Sequence, residues 1–565
     1  MAAPPALTSP LLPAALAAAA LPSLLAHNPP PSPTFLNQAL ALAVWGLFAA
    51  VAGGAWPAAR RAWPLFAALT GVALGVLWSW GPGALPSSLA LSALGLLAAA
   101  ALLVAAGASA RATRSAELVF IAFCWGWVLA GGLNLVIAAV QVFAPTWPDG
   151  DWLARSGLPG RAVGNLRQPN HLSSLLLWSA IATVALLQLG RLRPAIGRTL
   201  FALLMGGVVL TASRTGLVSV LLLAAWGVFD RSLSRRTRWL LVAAPLLYGL
   251  AWAGLWGWAQ LGAHSFGGEA RLHETDISSS RFGIWANTLT LIAQQPLTGV
   301  GFGEFNLAWS MTPFPGRPTA FFDHTHNLPL QLLVELGLPL GGAVCGLLLW
   351  ALWRAFGGAP GPTTALQRCA AMFALMIGVH SLLEYPLWYA YFLLPLAWVW
   401  GFALGGSDPT ASLRSRPALA IGMLLVAGVC VVDYQRVVRI FEAPADAPPL
   451  AQRIRDGRAS WLFAHHGDYA AATTGLAQPD GLAAFDGAKH YLLDTRLMRA
   501  WAEAQAAAGR LDEARHVAAR LREFGAQRAE DLFASCATPA SAAAAWACQP
   551  PEHQIDWRVL QRSGD

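Results

Sequence analysis

The chain has 565 residues, 56% of them hydrophobic and only 12% charged, with a mean hydropathy of +0.50. A soluble domain runs about 25% charged, so this composition excludes a water-soluble globular protein. The apolar stretches run to about twenty residues, the length of spanning helices, and do not alternate as the strands of a membrane barrel would. The expected class is all-α, a polytopic membrane protein of 12–14 transmembrane helices. The formal net charge of +8 is modest for the length, and no nucleic-acid partner is expected. Lys489 is the only lysine.

About thirteen spans are predicted, centred near residues 17, 45, 71, 98, 130, 181, 204, 222, 250, 339, 376, 396 and 425. The Ala- and Pro-rich N-terminus lacks a basic leader and is read as a first span rather than a cleaved signal. Arg60 with Arg61, Arg111 with Arg114, Arg191 with Arg193, Arg231 with Arg235 and Arg236, Arg354 with Arg368, and Arg414 with Arg416 fall on one side of these spans. The positive-inside rule makes that side cytoplasmic. Three segments then face outward: Ala144 to Asn170, a long loop over about 262–325, and the tail from Tyr434. The domains expected are a membrane domain over 1–433 and a small helical C-terminal domain over 434–565.

Charged groups within spans cost about 2.5–3.5 kcal/mol on insertion scales, which makes them functional suspects. The polar groups of interest cluster at outward helix ends. "GNLRQPNHLSSLLLW" crowds Arg167, Gln168, Asn170 and His171 around a helix start marked by Pro169. One such residue suffices for a cap, so two readings stand: the rim of a site, or capping with a headgroup contact. "TASRTGLVSV" places Arg214 at an outward turn, with Ser213 or Thr215 as a cap. Arg214 either snorkels to lipid phosphate or aims its guanidinium at a phosphate in an outer cavity.

In the long loop, Arg281 precedes a helix with Phe282, Trp285, Leu289 and Ile292 at helical spacing. That helix is expected along the membrane surface, stopping at Pro296 before a turn with Gly299, Gly301 and Gly303. No strand precedes these glycines and no GK[S/T] follows, so they are not a nucleotide loop. Arg281 is a solvated loop charge or a ligand for an anion. "HTHNLPLQLLVELGLPLGG", residues 324–342, then opens the tenth span at His326, with Pro329 in its first turn. A helix N-terminus disfavours a protonated imidazole and attracts anions, so His326 is expected to accept a proton. Asn327, Gln331 and Glu335 follow four apart and must face protein or water as its support. His324 binds an acceptor or only caps the loop. "HSLLEYPLWYAYF" sets His380 and Glu384 four apart on one helical face, with Tyr385 next and Pro386 breaking the helix. His380 is either a structural partner for that carboxylate or part of a site.

The tail carries a helical pattern in "RLMRAWAEAQAAAGRLDEARHVAARLREF", with Gly509 as the turn of a hairpin. Cys536 and Cys548 could pair if this end is outside the cytoplasm. Cys124, Cys345, Cys369 and Cys430 lie in apolar runs as small core residues. The sequence has no CxxC and no metal-ligand spacing.

The segment 324–342, a histidine followed by Asn and later by E-x-G, resembles the signature of the O-antigen ligase superfamily. The "SRTG" turn and the segment of Arg281, Trp285 and "PLTGVGFGEF" resemble that family's landmarks, in the same order. "RQPNHLSSLL" and the polar tail resemble the protein O-oligosaccharyltransferase branch. The resemblance covers residues 160 to 400 or so. It implies en bloc transfer of a preassembled glycan from an undecaprenyl diphosphate carrier, at the periplasmic face of the inner membrane. In the protein branch the acceptor is a Ser or Thr hydroxyl, often on a pilin; in the ligases it is lipid A core. By that resemblance His326 is the base that activates the acceptor, and Arg214 and Arg281 hold the diphosphate. Gln168 and Tyr385 match polar positions linked to activity, and no metal or other cofactor is implied. The inverse arrangement, with His326 as a phosphate-binding cation, fits the residues as well. A lipid A ligase, a polysaccharide polymerase, a transporter and a scaffold built on the tail are the competing readings. A transporter would need polar residues through the midplane of several helices, whereas here they gather at outward ends.

Overall fold

The computed structural model describes residues 10–262, 264–269, 276–358, 364–408, 410–475, 482–525, 530–537 and 545–561. Among them there are helices and no strand. The helices are α1 (Leu11–Leu24), α2 (Phe35–Ala52), α3 (Trp63–Trp80), α4 (Ser87–Arg111), α5 (Ala116–Phe143), α6 (Pro169–Gln188), α7 (Pro194–Thr211), α8 (Arg214–Phe229), α9 (Arg235–Val242) and α10 (Ala244–Gly262). After them come α11 (Asp276–Gln294), α12 (Phe305–Met311), α13 (Leu328–Trp353), α14 (Ala365–Ser381), α15 (Ala390–Leu404) and α16 (Pro417–Phe441). The tail adds α17 (Leu450–Arg458), α18 (Ala464–Thr474), α19 (Ala483–Tyr491), α20 (Thr495–Ala507) and α21 (Leu511–Glu523). Each of the thirteen expected span centres falls in a helix. Nine spans among the described residues are long and apolar enough to cross a membrane, with α9 and α10 forming one of them. The protein is thus an all-α, multi-pass membrane protein.

The chain forms two compact units. The first comprises residues 1–67, 98–274 and 347–429. Its centre is α6, buried from Pro169 to Leu186. Around it runs an aromatic chain in which Trp127 meets Trp178 at 4.7 Å, and Phe123 meets Trp398 at 4.9 Å. Such pairs add about 0.5–1.5 kcal/mol beyond burial. Lipid tails are as apolar as leucine, so helices gain most where backbones approach closely. Gly107 on α4 and Gly401 on α15 supply that approach, since a Cβ on either would run into backbone of the other helix.

The second unit comprises residues 68–97, 275–346 and 430–565. One apolar core joins Ile284, Leu291, Phe305, Trp309 and Val334 to Phe485, Leu497, Trp501, Leu521 and Phe524 of the tail. Gly509, in left-handed backbone, turns α20 into α21 as expected, and Cys536 is bonded to Cys548. Helix α11 forms over the segment that carries the expected apolar row. Phe282 and Leu289 are exposed, Trp285 is half-buried and Ile292 is buried. A second apolar row on this helix, Ile284 with Leu291, packs inward and turns the predicted stripe partly outward.

Helix α13 is interrupted at Gly337 (φ 76°, ψ 167°). Pro339 has no N–H for the carbonyl of Glu335, and an unsatisfied carbonyl costs several kcal/mol in lipid. The glycine-rich turn resolves this. Val300 N–H donates to the carbonyl of Val334 at 2.8 Å and Gly301 N–H to that of Glu335 at 3.1 Å, while Leu338 N–H donates to Pro296 at 2.8 Å. Backbones approach so closely that a Cβ on Gly337 would strike the carbonyl of Leu297.

Gly337→Ala is therefore expected to destabilise the protein by about 2 kcal/mol or more, read as a lowered Tm in detergent. Gly342→Ala, which meets open space, should leave Tm unchanged. In the tail, burial pushes the His466 and His516 imidazoles down to about 4. Their unfolded value is about 6.5, so their contribution is complete above that pH and is lost as the pH falls toward 4. The expected loss is roughly 1–3 kcal/mol each, checked by hydrogen exchange of tail peptides at pH 7 and pH 5.

Candidate functional site

Six of the candidate residues belong to the first unit. Gln168 caps α6, its Oε1 accepting from His171 N–H at 2.9 Å, with Pro169 at the first helical position. Ser213 caps α8, accepting from Gly216 N–H at 2.9 Å. That sets Arg214, half-buried, at the first residue of α8. Ser213 Oγ also donates to Asn170 Oδ1 at 2.7 Å, and Asn170 Nδ2 donates to Glu384 Oε1 at 3.1 Å. His171 Nδ1 lies 3.0 Å from the Tyr391 hydroxyl, with Tyr389 against its ring at 4.6 Å. Tyr385 stacks on Tyr389 at 6.2 Å. Gln168, Asn170, His171, Arg214, Glu384 and Tyr385 are thus parts of one contiguous network.

The expected one-turn spacing of His380 and Glu384 is kept, Glu384 N–H donating to the carbonyl of His380 at 3.0 Å. Helix α14 ends at Ser381, and Pro386 disfavours helical backbone just before it. His380 Nδ1 lies 2.7 Å from Ser174 Oγ.

The other three candidates belong to the second unit. The sequence places His326 at the start of the tenth span, but α13 begins at Leu328. Asn327, the better cap, accepts from Leu330 N–H at 3.0 Å and leaves His326 one residue outside. His326 takes left-handed backbone (φ 53°), rare for a non-glycine residue and costing of order 1–3 kcal/mol. The polar stripe supports the chain beside the imidazole. Gln331 Oε1 accepts from Thr325 N–H at 2.8 Å, and Gln331 Nε2 donates to Glu335 Oε1 at 2.9 Å. Trp285, one turn after Arg281, donates from its indole to the carbonyl of Thr325 at 2.9 Å. The helix carrying Arg281 is thus tied to the residue between His324 and His326.

Asp323 was not singled out from sequence. Its Oδ1 lies 3.1 Å from His324 Nδ1. Burial alone would raise this carboxyl, but the His324 imidazole, and then that of His326, hold it down at about 2. Tyr389 and Tyr391 were also missed as partners, although the aromatic run after Glu384 was the available signal. Arg167, Ala212 and His326 are the only left-handed non-glycine residues among those described. Each directly precedes a capped helix start that carries candidate residues.

Asn170→Asp should set two carboxylates against each other and cost about 2 kcal/mol or more, seen as a lower Tm. Adding Glu384→Gln, which restores a donor to that pair, should recover most of the loss.

Residues 199–345 match the family described as O-antigen ligase, and residues 162–187 the one described as protein glycosylation ligase. Residues 369–534 match virulence factor membrane-bound polymerase, C-terminal. Two relatives come from Acinetobacter baylyi (strain ATCC 33305 / BD413 / ADP1). A general O-oligosaccharyltransferase is 33% identical over 154 residues, 27% of this chain and 26% of the relative. A ComP-specific O-oligosaccharyltransferase is 27% identical over 298 residues, 51% of each chain. The matched regions span less than two thirds of either relative. The matches fall on the candidate residues of both units, with Gln168, Asn170 and His171 in the glycosylation-ligase region and Arg214, Arg281 and His326 in the ligase region. Over residues 162–187 and 199–345 the chain is thus similar to the protein glycosylation ligase and O-antigen ligase families.

Proposed function

We propose that the protein transfers a preassembled oligosaccharide en bloc from undecaprenyl diphosphate to Ser or Thr hydroxyls of periplasmic proteins such as a pilin, at the outer face of the bacterial inner membrane. The observation that carries the reading is the backbone of His326, strained into left-handed geometry between the Asn327 cap and the Trp285–Thr325 contact. Strain of this kind persists only where the surroundings over-determine it, and it clusters at functional sites. The two relatives named as O-oligosaccharyltransferases support the same reading.

On this reading His326 takes the proton as the acceptor oxygen attacks the anomeric carbon. The bond from that carbon to the diphosphate oxygen breaks, and the electron pair leaves with undecaprenyl diphosphate. Arg214 and Arg281 hold the diphosphate and stabilise its developing charge. Asp323 pairs with His324, two residues before the base. Asn170, His171, Gln168, Glu384 and Tyr385 line or brace the donor side, and His324 orders the acceptor side with Asp323. The membrane domain is residues 1–433, and residues 262–325 and 434–565 lie in the periplasm. The Cys536–Cys548 bond supports that placement, since disulfides persist in oxidising compartments.

The polymerase description matched by residues 369–534 favours a second reading, glycan polymerisation or ligation to lipid A core. Deleting the gene separates them: loss of protein-linked glycan with intact lipopolysaccharide supports protein transfer, and the reverse pattern overturns it. In a defined system of purified protein, lipid-linked glycan and pilin, His326→Ala should lower transfer by about 10²–10⁴-fold. His326→Gly, which relaxes the backbone, should raise Tm or leave it unchanged while losing transfer equally. Unchanged transfer by either variant would refute the base assignment.

A further inference from the structure

The tail meets the chain leading to His326 at four points, all within the second unit. His490 Nδ1 lies 2.8 Å from both carboxylate oxygens of Glu304, and both side chains are 1% exposed. Leu493 N–H donates to Asn306 Oδ1 at 2.7 Å. His516 Nε2 donates to the carbonyl of Met311 at 3.0 Å. Arg317, buried, pairs through Nε with Glu523 at 2.7 Å and lies over the rings of Trp309 and Phe524.

One of these contacts continues to the histidine. Asn306 uses its carbonyl for Leu493 and its amide for the chain ahead of His326, Nδ2 donating to the carbonyl of Phe322 at 3.1 Å. The Phe322 ring stands edge-on to the His326 imidazole, centroids 5.3 Å apart at 86°. Trp309, in the core shared with the tail, backs Phe322 at 6.1 Å.

We propose that Asn306 is a positioning residue for His326, and that the C-terminal tail is part of the scaffold holding this imidazole rather than a separable docking module. The proposal rests on the reading of His326 as the base. The tail fixes Asn306, Asn306 fixes the Phe322 carbonyl, and the Phe322 ring limits the imidazole from one side. Asparagine suits the task because it offers an acceptor and a donor on one short side chain. A fully buried Glu304 needs a buried partner, and His490 of the tail supplies it.

Asn306→Asp keeps the acceptor for Leu493 N–H and replaces the donor to Phe322 with a second acceptor. In the full-length protein, hydrogen exchange across residues 320–327 should quicken roughly tenfold, while α6 peptides are unchanged. With lipid-linked oligosaccharide and a Ser-containing acceptor, kcat should fall about 10–100-fold, with KM for the donor held within about twofold. In a His326→Ala background the same substitution should cost nothing further, because the two act as one unit. Unchanged exchange overturns the link between tail and histidine. Faster exchange with unchanged kcat overturns the positioning role. A wild-type protein that transfers nothing would fail the proposed function, while the exchange arm still decides the link. Should Asn306→Asp not fold, Asn306→Ala, which removes both bonds without adding a charge, carries the same test.

Discussion

The second unit depends on a helix that cannot remain a helix. Pro339 denies the Glu335 carbonyl its partner, and Gly337 permits the turn that follows. A segment from a different part of the chain, Pro296 to Gly301, then supplies the missing bonds. Non-helical backbone at membrane depth is tolerated only where protein satisfies it, so the interrupted helix and the glycine turn require each other. Once joined, they anchor both ends of residues 302–336, the stretch that contains Asn306, Asp323 and His326.

The same economy appears at the helix starts. Left-handed residues at 167, 212 and 326 change the chain's direction just before Gln168, Ser213 and Asn327 cap the helices that follow. A capped start leaves fewer backbone donors unsatisfied, and the turn ahead of it holds a side chain at the helix mouth. At two of these places the chain strains a residue where glycine would serve, and the residues are an arginine and a histidine.

The spans were legible because a run of about twenty apolar residues has few other interpretations. Pro169 and Ser213 were legible because capping chemistry is local. The start of α13 was misread by two residues, since His326 and Asn327 both look polar enough to open a helix and only the Leu330 N–H distinguishes them. Asn306, Phe322 and Asp323 were illegible in principle: their partners lie far away in sequence or are set by loop geometry, and no periodicity encodes that.

The division of the second unit among three stretches of chain has a consequence for biosynthesis. Residues 275–346 emerge from the ribosome before residues 430–565, by on the order of ten seconds at ordinary translation rates. Throughout that interval Phe305, Trp309 and Met311 lack the tail residues that bury them, and Glu304 lacks His490. The core is therefore completed only after the rest of the chain has been made, and a chain that stops short of the tail presents an unfinished apolar surface.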